Sequence, residues 1–241
     1  MWESGGVSAL YNILICDDDR DIVSALKIYL TSEGYQTVEA YNGQEAVEAV
    51  KAGDIDLVLM DVMMPKMDGI RATAQLREEG NIPIILLTAK GEDSDKVLGL
   101  NIGADDYITK PFNPIEVLAR VKSQLRRYTT LGGKQSGEEH GVLRNGALVL
   151  DDAAKMVQVD GEIINLTPIE YNILHLLMKN PGRVYSTAQI YQLVWNDPVL
   201  GSESTVAVHI RHLREKIEID PANPCYLKVV WGLGYKMEKM G

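Results

Sequence analysis

The sequence predicts an α/β domain built on a parallel sheet, followed by a second, α+β domain, and three observations carry that prediction. Between residues 12 and 127, short apolar runs alternate with amphipathic stretches of helical spacing. From Tyr128 to Gly141 four glycines and very few apolar residues interrupt the pattern. Beyond that come short alternating runs, three helical stretches and a terminal pair of strand-like runs. Strands that alternate with helices form a parallel sheet covered on both faces, whereas segregated strands and helices form an α+β unit. The domains are cut accordingly: a loose leader at 1–11, the α/β domain at 12–127, a flexible linker at 128–141 and the second domain at 142–241.

In chain order, the clear strands are Ile13-Leu14-Ile15-Cys16, Leu57 to Met60, Ile82 to Leu87 and Tyr107-Ile108, with Gln36 to Ala40 a weaker one. The helical stretches are Ile22 to Leu30, Glu45 to Val50, Ile70 to Arg77, Lys96 to Leu100 and Pro114 to Leu125. In the first of these, Ile22, Val23, Leu26 and Leu30 share one face. Right-handed crossovers leave few topologies for five such units, and the flavodoxin-like strand order 2-1-3-4-5 is the usual one. It sets the carboxyl ends of strands 1 and 3 side by side at the switch point, where open α/β sheets place their chemistry.

Composition narrows the function classes. The formal net charge is -10, which excludes a protein that coats nucleic acid non-specifically and restricts any DNA contact to a local basic surface. No apolar run approaches membrane-spanning length. The segment Met1 to Tyr11 has neither the basic start nor the apolar core of a signal peptide. Cys16 and Cys225 show no disulfide or zinc spacing, and Cys16 falls inside a strand pattern as a core residue. A cytoplasmic location is the default expectation.

The chemistry gathers at strand ends. Asp17-Asp18-Asp19 follows strand 1, Asp61 ends strand 3, Thr88 ends strand 4 and Lys110 follows strand 5. Each alone reads as an ordinary turn residue; all four at carboxyl ends of strands converge on one crevice. Clustered carboxylates need a compensating cation, and all-oxygen ligands suit Mg²⁺. A Lys and a hydroxyl opposite suit a phosphoryl group, and a carboxylate nucleophile beside Mg²⁺ can form an acyl phosphate.

Ile-Cys-Asp-Asp-Asp, Leu-Met-Asp-Val-Met-Met-Pro, Leu-Leu-Thr-Ala and Ile-Thr-Lys-Pro-Phe resemble the motifs of the receiver domain of two-component response regulators. The resemblance implies that Asp61 accepts a phosphoryl group from the phosphohistidine of a sensor histidine kinase. It implies a Mg²⁺ site from Asp17, Asp18, Asp61 and the main-chain carbonyl of Met63. Thr88 and Lys110 would contact the phosphoryl oxygens, Tyr107 would be an aromatic switch, and the Lys110-Pro111 bond would be cis. Gly103-Ala104-Asp105-Asp106-Tyr107 and Glu116-Val-Leu-Ala-Arg120-Val-Lys122 resemble the dimer face of the OmpR/PhoB subfamily. That resemblance implies a homodimer when phosphorylated, with Lys96 pairing Glu116 and Asp105 pairing Arg120 across it. Asn101 stands where the subfamily has an acid, so Lys122 loses its expected partner.

In the second domain Ala147 to Leu150, Met156 to Val159 and Glu162 to Ile164 read as strands, with Asp160-Gly161 as a hairpin turn. Thr167-Pro168-Ile169-Glu170 opens a helix with a capping box and Pro at its first position. Ser186 with Gln189 opens a second, ending near Trp195, and a third runs from about Ser204 to Glu218 before two strands around Gly232-Leu233-Gly234. Three helices with a terminal hairpin describe a winged helix-turn-helix. The third helix turns Val206, Ile210, Leu213 and Ile217 one way and Ala207, Val208, Arg211, His212 and Glu215 the other, with Arg214 at the flank. A helix with that second face fits the major groove of double-stranded DNA.

Val-His-Ile-Arg-His-Leu-Arg-Glu-Lys and Val-Val-Trp-Gly-Leu-Gly-Tyr-Lys resemble the OmpR/PhoB effector domain. By that resemblance Val208, Arg211 and His212 touch bases, Arg214, Lys216, Lys228 and Lys236 touch phosphates, and the loop Asn196 to Ser202 meets RNA polymerase. Ala207, His212 and Trp231 depart from the subfamily, the last where some members place a minor-groove Arg. Asp105 to Arg127 and His209 to Lys216 resemble the VanR type within the subfamily, which controls glycopeptide-resistance genes. The expected function is therefore a phosphorylation-controlled transcription regulator, not an enzyme, acting on direct DNA repeats. A haloacid-dehalogenase-type phosphatase is the rival from another class, with Asp17, Asp19, Thr88 and Lys110 in its motifs. It leaves Asp61 and the DNA module without a role. A regulator that works without phosphorylation is the third reading, and the complete acidic set argues against it.

Overall fold

The computed structural model describes residues 11–89, 102–132, 141–195 and 203–240. In the first domain five strands, β1 (Asn12–Cys16), β2 (Gln36–Ala40), β3 (Leu57–Asp61), β4 (Ile84–Ala89) and β5 (Asp106–Lys110), form one parallel sheet in the order β2-β1-β3-β4-β5. That is the expected topology. Helices α1 (Arg20–Ser32), α2 (Gly43–Lys51), α3 (Gly69–Glu79) and α4 (Pro114–Gly132) cover it. The stretch Lys96 to Leu100, expected to be helical, lies outside the described residues. Alternation along the strands divides the core in two. Leu14, Cys16, Val58 and Met60 face Ala46, Val47, Ala72 and Leu76 of α2 and α3. Ile13, Ile15, Leu57 and Leu59 face Val23, Leu26 and Leu30 of α1 and Val117, Val121 and Leu125 of α4. A period of two on strands buried on both faces is what makes them near-continuous apolar runs.

Side-chain caps start the helices beside the crevice. Asp19 accepts from the amides of Asp21 and Ile22, Asn42 from Glu45 and Asp68 from Arg71. The third carboxylate of the Asp17-Asp18-Asp19 run is thus a helix cap. Gly69 closes the β3–α3 turn against the strand, because a Cβ there would stand 2.0 Å from the Asp61 carbonyl oxygen. Helix α4 continues to Gly132, so the first five residues of the stretch read as linker are helical.

The second domain opens with an antiparallel meander of β6 (Val142–Asn145), β7 (Leu148–Asp151), β8 (Met156–Val159) and β9 (Glu162–Ile164). The first of these was not predicted. Helices α5 (Pro168–Lys179), α6 (Thr187–Trp195) and α7 (Glu203–Ile217) follow, and β10 (Leu227–Val230) with β11 (Gly234–Met237) makes the wing. The capping box of Thr167 and Glu170 is formed as expected, and Ser186 and Gln189 bond reciprocally at the start of α6. Val206, Ile210, Leu213 and Ile217 enter the core from α7, together with Leu174, Leu177 and Trp195. The fold is a winged helix, as predicted.

Candidate phosphoacceptor site and DNA-reading helix

Four adjacent strand ends assemble the crevice. Asp17 follows β1, Asp61 ends β3, and the β4–β5 register sets Thr88 beside Thr109 and Ala89 beside Lys110. One oxygen from each of Asp17, Asp18 and Asp61 lies within 4.8 Å of the other two. The Lys110 ammonium sits between two of them, 2.6 Å from Asp17 Oδ2 and 2.7 Å from Asp61 Oδ1. Thr88 is buried on the neighbouring strand, and the Lys110-Pro111 peptide is cis, as expected. Burial is the main cause that pushes the Asp61 carboxyl up to about 6; Asp17 and Asp18 add to it and Lys110 opposes it. Burial works against the Lys110 charge, and the bonds to Asp17 and Asp61 outweigh it, so its pKa is raised. Two of three crowded carboxylates share one cation, so a divalent ion fits the donor set. Tyr107 is half-buried and packs on the α2–α3 side of the core. Met63 lies two residues past Asp61 with its side chain exposed.

Helix α7 holds the residues expected to read DNA. Arg211 is half exposed, 3.5 Å from Glu215. Arg214 bonds the Leu227 carbonyl at 3.0 and 2.7 Å, tying α7 to the wing, and Lys216 lies 2.7 Å from Glu170. Lys236 pairs with Glu238, Lys228 is half-buried, and Trp231 at the wing tip is 89% exposed.

Residues 13–122 match the response regulator receiver domain and residues 161–237 the C-terminal domain of transcriptional regulatory proteins. The regulatory protein VanR of Enterococcus faecium is 42% identical over 228 residues, covering 94% of this chain and 98% of that one. The sensory transduction protein RegX3 of Mycobacterium tuberculosis is 39% identical over 94% of this chain and 99% of its own. Among solved structures, an OmpR/PhoB homologue, DrrB of Thermotoga maritima, matches at 32% identity with a TM-score of 0.50, covering 95% of this chain and 99% of that one. A mutant of RitR matches at 26% identity and a TM-score of 0.73 with the same coverage.

The chain belongs to the OmpR/PhoB response regulators. It is a two-component transcription regulator, with a receiver domain and a DNA-binding effector domain, and the family implies a cognate kinase. No helix among the described residues is long and apolar enough to cross a membrane.

In this structure the regulator is closed. Arg120 of α4 donates to the Tyr191 hydroxyl of α6 at 3.0 Å, and the Ser123 hydroxyl donates to the Trp195 carbonyl at 2.5 Å. Tyr191 stacks on Trp195 at 4.8 Å, and Trp195 in turn meets His209 at 5.7 Å. Val208 and His212, expected at bases, are only 8% and 7% exposed. His209 is 1% exposed, with Asp105 and Arg77 of the receiver among its neighbours. Burial first, then His212, hold its imidazole down at about 3, so it is neutral in the closed form.

The residues expected to pair two receivers are engaged inside one chain. Arg120 pairs with Asp106 at 2.8 Å and with Glu116 at 3.0 Å, while Asp105 pairs with Arg77 at 2.7 Å. Lys122, expected to lack a partner, pairs with Glu33. Lys96 and the loop Asn196 to Ser202 lie outside the described residues. Sequence reasoning missed Tyr191, Trp195 and Ser123, because a contact between domains leaves no periodicity. It also missed Glu218, whose carboxylate accepts from the amides of Cys225, Tyr226 and Leu227 at the start of the wing.

Proposed function

We propose that Asp61 is the phosphoacceptor and that its phosphorylation releases the closed arrangement so that α7 reads DNA. The observation that carries this is the Lys110 ammonium held between Asp17 and Asp61 at the carboxyl end of the sheet, with Thr88 on the adjoining strand. An Asp61 oxygen attacks the phosphorus of a kinase phosphohistidine; the P–O bond forms as the P–N bond breaks, and the imidazole leaves with the nitrogen electron pair. Lys110 stabilises the incoming charge from one side and the Thr88 hydroxyl donates from another. Asp17, Asp18, Asp61 and the Met63 carbonyl would hold Mg²⁺, which supplies neutralising charge to the crowded oxygens. Burial raises the Asp61 pKa to about 6, still below neutral pH, so the nucleophile is mostly the ionised carboxylate.

The output is a population shift between closed and open forms. In the open form Tyr107 turns inward toward Thr88, and Arg120, Asp105, Asp106, Glu116 and Lys96 become free to pair with a second receiver. Arg120 cannot serve both arrangements at once, which supports competition between closure and dimerisation. Receiver pairing raises the effective concentration of the second effector domain on direct repeats spaced about one helical turn, roughly 10 bp. Val208, Arg211 and His212 then approach base edges, while Arg214, Lys216, Lys228 and Lys236 lie toward phosphates. RNA polymerase contact falls to Asn196 to Ser202, and the family supports a cytoplasmic site of action. The 42% identity to VanR supports a regulator of that type, for which glycopeptide-resistance genes are the targets the resemblance implies.

The test treats the full chain with acetyl phosphate and Mg²⁺, maps the phosphoryl group by mass spectrometry, and selects bound fragments from random DNA with and without the donor. The expected result is one phosphoryl group on Asp61 and enrichment of a repeated motif only with donor. Modification elsewhere, or sustained turnover of generic phosphate esters, contradicts the reading.

A further inference from the structure

A second cluster of metal-binding residue types stands in the effector domain, outside the phosphoacceptor crevice. Glu170 lies in the first turn of α5, which packs against α7, where His209 and His212 are three residues apart. At that spacing on a helix two side chains are neighbours. One imidazole nitrogen of each histidine and one Glu170 oxygen lie within 4.8 Å of one another, and all three residues are buried.

The polar atoms of this cluster are incompletely satisfied. No hydrogen bond of full geometry reaches either ring nitrogen of His209 among the described residues, and the Asp105 main chain makes a hydrogen-bonding approach to one of them at most. A neutral imidazole carries one donor and one acceptor, so with Asp105 serving one nitrogen at most, the other, buried, calls for a water or an ion. His212 Nδ1 stops 3.8 Å from Glu170 Oε1, beyond hydrogen-bond range. Glu170 gives Oε2 to Lys216 at 2.7 Å and to the Thr167 amide at 2.8 Å, while Oε1 is turned to the histidine.

We propose that Glu170, His209 and His212 form a binding site for a divalent transition-metal ion, Zn²⁺ being the reference case, with water in the remaining position. Two imidazoles and a carboxylate are a donor set that Zn²⁺ accepts with three protein ligands. Tetrahedral bonds of about 2.0–2.1 Å place ligand atoms roughly 3.3 Å apart. The His212–Glu170 edge, at 3.8 Å, is about half an ångström longer than that. Lys216 and Arg211 bring positive charge nearby, and Glu170 and Glu215, each paired with one of them, balance it before the ion arrives. All three ligands belong to the effector domain, and the receiver shields His209 from solvent in the closed form.

His212 is also one of the proposed base contacts, so an ion here withdraws it from the groove and weakens operator binding. That consequence rests on the DNA reading above, whereas metal binding itself is measured without DNA, so the two fail separately. The full chain is stripped with a chelator, then titrated with Zn²⁺ against a chromophoric chelator, and with Co²⁺ as a spectroscopic probe. One Zn²⁺ per chain is expected to be taken from the competitor, with a Co²⁺ spectrum of four- or five-coordinate nitrogen and oxygen ligation. His209→Gln and His212→Gln each weaken that equivalent at least about tenfold, and Asp17→Asn leaves it unchanged. A wild-type chain that takes no Zn²⁺ from the competitor, or histidine variants that bind as wild type does, overturns the site. Where a variant fails to fold, a Co²⁺ spectrum with octahedral bands alone in Asp17→Asn, whose receiver site is impaired, overturns it equally.

Discussion

Asp61→Asn probes the electrostatics of the crevice without any phosphodonor. Burial, with Asp17 and Asp18 adding to it, lifts this carboxyl from 3.8 to about 6 against the pull of Lys110. A carboxyl whose folded pKa exceeds its unfolded value binds more protons in the native state, so stability falls as pH rises between the two values. The interval corresponds to about 3 kcal/mol lost in full above pH 7. Asn carries no charge and removes that cost, which is already net of the Lys110 attraction, so the gain at pH 7.5 is about 3 kcal/mol. For a chain of this size that raises Tm by roughly 6–12 °C. Calorimetry in chelator at pH 7.5 and pH 5 measures it, with the gain shrinking to about half at pH 5, where the wild-type carboxyl is mostly protonated. Mg²⁺ should stabilise the wild type and do much less for the variant. A variant less stable than wild type at pH 7.5, or a gain equal at both pH values, refutes the reasoning.

Three further outcomes are expected. Tyr191→Phe removes the hydroxyl that accepts from Arg120, so unphosphorylated DNA affinity rises about three- to tenfold, a loss of about 1 kcal/mol of closure; small-angle scattering and gel shifts measure it, and an unchanged radius with unchanged affinity contradicts it. Arg211→Ala costs about 1–3 kcal/mol on a selected site and relaxes specificity at one base; an equal loss on random DNA denies a base contact. Glu218→Ala strips three wing amides of their acceptor, so urea unfolding of the effector domain should lose about 2–3 kcal/mol, and a loss under 0.5 kcal/mol (roughly the level of a surface change) speaks against that role.

The receiver was legible because its central strands β1, β3 and β4 are buried on both faces and read as apolar runs, and because its chemistry sits at strand ends that topology alone brings together. The edge strand β2 is largely exposed and gave a weaker signal. Asp61, Thr88 and Lys110 needed no tertiary information beyond the strand order. Val142–Asn145 was missed because its pattern, with Arg144 and Asn145 after two apolar residues, is too short to show alternation. The glycines after Tyr128 announced a break five residues before the helix ends, since the apolar periodicity of α4 fades earlier than its backbone hydrogen bonds. On α7 the inward face was legible at a period of 3.6, and the outward face was legible only as a candidate surface. That Val208 and His212 are buried, and that Arg120 meets Tyr191, depends on how the two domains meet, which no local pattern encodes.

The most direct measurement is the affinity of the full chain for its selected operator, with and without acetyl phosphate in Mg²⁺, for wild type and Asp61→Asn. The account predicts a gain of at least about tenfold, about 1.4 kcal/mol, in wild type and none in the variant. The same gain in both proteins, or none in wild type once Asp61 is phosphorylated, would contradict it.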